Sequence, residues 1–247
     1  MKSRVLFGFI LFFWALFALI ANIPAIQILR VVELPKNIQA GDISGTVWKG
    51  QFSYLVVEQQ VLEKVQWDVN LGSLMSAKLG VDWKLGGARS DIRGSGLAEV
   101  DMDGKLTVSN SKLSIPAQML ATQLHLPLDV EAKGRVSMYI ATGVQGAPYC
   151  ESLSGTVNWH QAWVSTMGQE LDLGRMKAKL GCDQGSLQVI TEPSPPLSLE
   201  VVASLGQRGR MQVQGTIKPS DDLPPQIKNA FKFLGRPDAQ GRYQLSL

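Results

Sequence analysis

The sequence predicts a mainly β protein, mostly antiparallel, held behind one N-terminal transmembrane helix. Three observations carry this. Apolar and polar residues alternate with period two through most of residues 30–247, the pattern of strands with one apolar and one polar face. Gly, Asp, Asn and Pro cut that pattern into runs of strand length. Residues 5–29, VLFGFILFFWALFALIANIPAIQIL, contain no charged residue.

The apolar run, taken as a helix, measures roughly 37 Å at about 1.5 Å per residue, enough to cross a hydrocarbon core of about 30 Å. Pro24 is expected to end or bend it near the far interface. A cleaved signal peptide is the alternative. The run is longer than a signal core, however, and no small-x-small pair closes it. A buried core helix fits less well, because the run is apolar on every face. Lys2 and Arg4 are expected to hold residues 1–4 on the cytoplasmic side. No second run of comparable length follows, so residues 30–247 are expected to lie across the membrane, which in a Gram-negative bacterium is the periplasm. In that oxidising compartment Cys150 and Cys182 favour a disulfide over two buried free thiols. The bridge would close a loop of roughly 33 residues, for about 3–4 kcal/mol in the chain-entropy picture.

The first expected strand is GDISGTVWKG, with Ile43, Gly45, Val47 and Lys49 on one face and Ser44, Thr46 and Trp48 on the other. LEKVQWDVN, AKLGVDWKL and DGKLTVSNSKLSI continue the pattern, followed by LDLGRMKAKLG, GSLQVIT, LSLEVVASL, GRMQVQGTI and GRYQLSL. Asp103-Gly104 reads as a hairpin turn. Short helices are expected at 71–77, at 115–124 with Pro116 in the first turn, and at 223–235 with Gly235 as cap. The proline cluster at 191–199 reads as a sheet crossover. Gly45 to Trp48 nearly recurs at Gly155 to Trp159, which suggests two similar β-modules over 30–145 and 146–247. In the second copy Asn158 is inserted and changes the face on which Trp159 falls.

Catalytic and ligand motifs are hard to find. The chain has two histidines, His125 and His160, neither with a partner at metal spacing. There is no GxSxG elbow. Gly94 and Gly96 lack the third glycine of a dinucleotide loop, and Gly104-Lys105 lacks the spacing of a phosphate loop. Asp101 with Asp103, and Asp221 with Asp222, read as solvated turn acids. The net charge of +3 is small and scattered, which argues against a nucleic-acid partner. The expectation is therefore no enzyme, no metal and no cofactor. Trp48, Trp67, Trp83, Trp159 and Trp163 all fall in expected strands, as core residues or as the lining of an apolar furrow. Exposed strand edges offer a second route to a partner, by β-augmentation.

The residues also carry a resemblance that spans essentially the whole chain. The basic end and apolar anchor are followed by GDISGTVWKG, VQWDVNLGSLMSAKLGVDWKL, DIRGSGLAEV and FLGRPDAQGRYQLSL. In this order they resemble the protein N family of the type II secretion system, the general secretion pathway. The matching marks are Gly45, Thr46, Val47, Trp48 and Gly50, then Trp67 and Leu74, then Gly235, Pro237, Gly241, Arg242 and Tyr243. The resemblance implies a non-enzymatic inner-membrane accessory subunit, with other secretion components as partners, supporting export of folded periplasmic proteins. The strand pattern also looks like the AsmA-like envelope proteins. That likeness implies an elongated, curved sheet, and as the alternative function a lipid-binding or lipid-transfer groove.

Overall fold

Strand-forming alternation has become a ladder of antiparallel strands in the computed structural model of the chain. It describes residues 2–27, 38–57, 60–123, 130–166, 169–221, 223, 225, 228, 231 and 235–246. Two units are distinguished, residues 1–90 and 91–247.

The first unit starts with helix α1, Lys2–Ala21. It stops three residues before Pro24, where Asn22 donates from Nδ2 to the carbonyl of Ala18 at 2.8 Å and closes the last turn. Side chains of residues 2–10 lie outside the described set, as do residues 28 and 29 of the expected anchor. Among the described residues no helix is long and apolar enough to cross a membrane. Strands β1 (Ile38–Ala40) and β2 (Ile43–Gly45) both pair with β3 (Lys49–Val57). β3 pairs with β4 (Gln60–Asn70), and β4 with β5 (Lys78–Leu85). The turn expected at 71–77 is a 3₁₀ helix, Leu71–Ser76, which we label η1.

GDISGTVWKG is not one strand. The chain breaks after Gly45, whose φ is +94°, and the Thr46 amide donates to the Lys49 carbonyl at 2.8 Å. Thr46 to Trp48 therefore form the tip of the β2–β3 hairpin. Alternation could not register this, because Val47 and Trp48 satisfy a strand pattern while the glycine supplies the turn.

The second unit is a meander in which each strand pairs antiparallel with the next. Its strands are β6 (Arg93–Asp101), β7 (Leu106–Pro116), β8 (Val130–Gln145), β9 (Cys150–Thr166) and β10 (Gln169–Asp183). They continue with β11 (Ser186–Glu192), β12 (Leu199–Leu205), β13 (Met211–Ile217) and β14 (Tyr243–Ser246). Short turns impose this order. Asp101 accepts the amides of Asp103 and Lys105 in the β6–β7 turn, and Gln184-Gly185 joins β10 to β11 with positive φ at both residues. The expected module boundary at 145/146 falls at the end of β8, in the hairpin leading to β9, whereas the units part at Ser90/Asp91. Gly155 to Trp159 lies within β9 and Gly45 to Trp48 at a hairpin end, so the near-repeat is not repeated structure.

The expected helix at 115–124 begins later. Ile115 and Pro116 still pair with β8, and helix α2 runs Ala117–Gln123. The expected helix at 223–235 lies largely outside the described residues, as do His125 and Asp222. Residues 193–198 connect β11 to β12, which pair antiparallel as neighbours, so the proline cluster forms a hairpin connection and not the expected crossover.

Facing bulges interrupt β8, β9 and β10 at one level. Gly134 has φ +93° and Gln161 φ +50°, and a Cβ on Gly134 would lie 2.3 Å from the Gln161 carbonyl. Such bulges locally bend and twist a ladder. Among the described residues no large side chain is fully buried, and the most enclosed positions include the small Ala25 and Ala162. Cross-strand pairs and the backbone ladder thus contribute more to cohesion here than a deep apolar core does.

Candidate functional site

The residues that could carry chemistry are dispersed. Among the described residues no group of three or more His, Cys, Asp or Glu is placed to hold a metal. His160 sits beside the β9 bulge in an open depression of about 640 Å³ with Gln161, Trp163, Asp172, Gly174 and Arg175. Lys133 lies over the Trp163 ring there, 3.8 Å from its centroid. Ser90 donates to Glu63 at 2.5 Å and accepts the Gly87 amide, an arrangement that closes the turn after β5.

What the fold does bring together is the first group of motif residues and the end of α1. Trp48 donates from Nε1 to the Ile20 carbonyl at 2.8 Å. The Val47 amide donates to the Ile23 carbonyl at 3.0 Å, and the Ala25 amide to the Gly45 carbonyl at 3.0 Å. Pro24 forms a β-bridge with Thr46. Carbonyls at a helix end and amides just past it lack intrahelical partners, and the hairpin tip supplies them. Each bond is worth about 0.5–1.5 kcal/mol net.

The motif residues fix the tip from the other side as well. Thr46 Oγ1 accepts the Lys49 amide at 3.2 Å. Trp67 on β4 donates from Nε1 to the Val47 carbonyl at 3.0 Å and stacks tilted on Phe52 with centroids 5.2 Å apart. The Trp67 ring covers Gly50 so closely that a Cβ there would lie 2.4 Å from Cζ2 and 2.7 Å from the Ser44 carbonyl. Gly45 is confined in the same way, with its φ of +94° and the Lys49 carbonyl 2.4 Å from where a Cβ would sit. Val69 at the end of β4 donates to the Trp48 carbonyl at 2.6 Å. Gly45, Thr46, Trp48, Gly50 and Trp67 thus make one joint between helix and sheet. Sequence reading marked these residues but missed Ile20, Ile23 and Ala25, which contribute only backbone groups; the proximity of Pro24 was the available signal.

Beside the joint lies an open groove of about 430 Å³ bordered by Lys49, Gln51, Gln66, Trp67, Asp68 and Trp83, among others. Lys49 pairs with Asp68 at 2.7 Å, and this hydrogen bond, with the carboxylate charge, raises the lysine pKa. Trp67 and Trp83 are direct cross-strand partners. Leu74 stands apart, exposed on η1.

The C-terminal motif residues form a separate, local arrangement. Asp238 Oδ1 accepts the amides of Gln240 and Arg242, each at 2.9 Å, and Oδ2 accepts Arg242 Nε at 2.8 Å. The Asp238 pKa is lowered, chiefly by the Arg242 amide; desolvation opposes this, and the guanidinium and the Gln240 amide add to it. Gly241 takes φ +76° in this turn and Gly235 φ +111° nearby. Tyr243 opens β14 with its ring 5.8 Å from that of Phe231. Pro237 lies in the segment between Gly235 and Asp238.

Cys150 and Cys182 are joined in the structure, with sulfurs 2.07 Å apart and a sequence separation of 32. The bond ties the start of β9 to the end of β10.

Comparison with known proteins places this architecture. Residues 36–246 match the family described as type II secretion system (T2SS), protein N. The chain is 30% identical to the type II secretion system protein N of Aeromonas hydrophila, over 99% of this chain and 98% of that one. It is 29% identical to the Vibrio cholerae protein of the same name, over 98% and 97%, and 27% identical to that of Klebsiella pneumoniae, over 98% and 94%. No solved structure matches. By this full-length similarity the chain belongs to the type II secretion system protein N family.

Proposed function

We propose that the chain is an inner-membrane accessory subunit of the type II secretion system that works by contact with other secretion components rather than by catalysis. Residues 1–4 are cytoplasmic, residues 5–29 anchor it, and residues 30–247 lie in the periplasm. The full-length match to the protein N family carries the reading. The uncharged run at 5–29, with Lys2 and Arg4 before it, supports the anchor and its direction. The joined Cys150 and Cys182 suit an oxidising compartment. The motif residues of the joint serve to hold the first sheet to the anchor. Nothing among the described residues or in the relatives' names favours the lipid-groove alternative.

A deletion strain tests the proposal. A folded periplasmic substrate should accumulate in the periplasm and be depleted from the medium, and the tagged chain should co-purify with other secretion components. Unchanged secretion with no co-purifying component would reject it. Reporter fusions to the C-terminus should be active for a periplasmic phosphatase and inactive for a cytoplasmic galactosidase.

A further inference from the structure

The loop between β4 and β5 presents its apolar side chains to the outside. Met75 on η1 is 94% exposed, Leu71 63% and Leu74 53%, and Leu79 just beyond is 52% exposed. Leu71 and Leu74 are three apart in a 3₁₀ turn and so share a face. The loop is well braced. Asn70 accepts the Gly72 amide at 3.0 Å, and the Ala77 amide donates to the Leu74 carbonyl at 3.0 Å. Ser73 is buried and lies over Gly80, where a Cβ would come within 2.3 Å of its Oγ. Ser73 and Gly80 thus face inward while the large apolar residues face outward, the reverse of an ordinary surface loop. A cluster of this kind marks an interaction surface.

The position of the loop identifies its occupant. Val69, two residues before η1, donates to the Trp48 carbonyl, and the Trp48 indole donates to Ile20 at the end of α1. Lys49 pairs with Asp68, so the β2–β3 tip and η1 lie at the same end of the strands, beside the end of α1. Between Asp68 and Asp82 the only charged residue is Lys78, suited to anionic headgroups.

We propose that Leu71, Leu74, Met75 and Leu79 form a second membrane contact, inserting into the bilayer surface beside the anchor. The inference rests on the reading of α1 as that anchor. With two attachments, the first sheet is oriented on the membrane as well as tethered to it.

Fluorescence quenching in vesicles tests this. Full-length variants Met75→Cys, Leu71→Cys, Leu16→Cys and, at the end of β4 away from η1, the exposed Val61→Cys are labelled with a small environment-sensitive fluorophore. The unsubstituted chain, labelled alike, gives the background. Each is reconstituted into phosphatidylethanolamine–phosphatidylglycerol vesicles carrying nitroxide lipids, with the nitroxide near the headgroup in one set and near the acyl-chain end in another. The expected result is strong headgroup quenching at 71 and 75, strong chain-end quenching at 16, and little of either at 61. Quenching at 16 with 71 and 75 behaving like 61 overturns the second contact and leaves the anchor standing. No quenching at 16 overturns the anchor reading and the inference with it. Labels at 71 and 75 that are unquenched in vesicles but shielded in native membranes containing the secretion system assign the loop to a protein partner, which also overturns the proposal.

Discussion

The two motif-bearing regions hold their residues in different ways. At the N-terminal joint, Gly45 and Gly50 are required by close approach, and two indoles bond to carbonyls on other elements. At the C-terminal turn, Gly241 and Gly235 have nothing within 4 Å of a would-be Cβ, and one carboxylate gathers donors from its own loop. One region connects elements distant in sequence; the other shapes a single turn before β14. Glycines that look equivalent in sequence therefore answer to different forces: contact in the first region, joined at Gly45 by backbone conformation, and backbone conformation alone in the second.

The largest separation between the regions is expected from valine substitutions. Gly50→Val drives a branched side chain into the Trp67 ring and the Ser44 carbonyl and should cost about 3 kcal/mol. Gly241→Val meets no neighbour and should cost about 1–2 kcal/mol, from its left-handed backbone alone. Denaturant unfolding of the full chain in detergent, followed by tryptophan emission, measures both. Equal losses would erase the distinction.

Gly45→Ala sharpens the comparison at smaller size. It combines positive φ with the close Lys49 carbonyl, so it should lose about 2 kcal/mol against about 1 kcal/mol for Gly241→Ala. Trp48→Phe, which removes one indole bond to Ile20, should cost about 1 kcal/mol and speed proteolysis after residue 21.

The electrostatic effects are smallest and run in opposite directions with pH. Asp238 has a lowered pKa, so its contribution is present above the ordinary aspartate value of about 3.9 and fades as pH falls through the folded-state value below it. Asp238→Asn should remove that acid-side dependence. Lys49 has a raised pKa, so its contribution is full below the ordinary lysine value of about 10.4 and is lost as pH rises through the higher folded-state value. The Lys49–Asp68 pair is exposed, and Lys49→Met should change little at neutral pH. pH titration of the unfolding midpoint separates the two.

Much of this was legible in the sequence, and the misses share a cause. Period-two alternation located β4, β5 and β10 to β14, because each keeps one face less exposed than the other or runs between clear turn residues. It failed at Thr46 to Trp48, where alternating residues sit on a hairpin tip, and at Ile115-Pro116, where strand pairing outlasts a proline that looked like a helix start. The near-repeat at Gly155 misled for the same reason: four shared residue types do not fix a backbone, and the inserted Asn158 lies in a long strand. The joint itself was half legible. Its tryptophans and glycines stood out, but its helix-side partners are main-chain atoms with no residue signature.

The central claim is that GDISGTVWKG joins the N-terminal helix to the first sheet. Native-state hydrogen exchange of the full-length chain in detergent tests it most directly, at the amides of Ala25 and Val47. Both should be protected to the level of β3 and β4, and both should lose protection in Gly50→Val and Trp48→Ala while the Asp238→Asn chain keeps it. Rapid exchange of those two amides in the unsubstituted chain, with β3 and β4 protected, would contradict the claim.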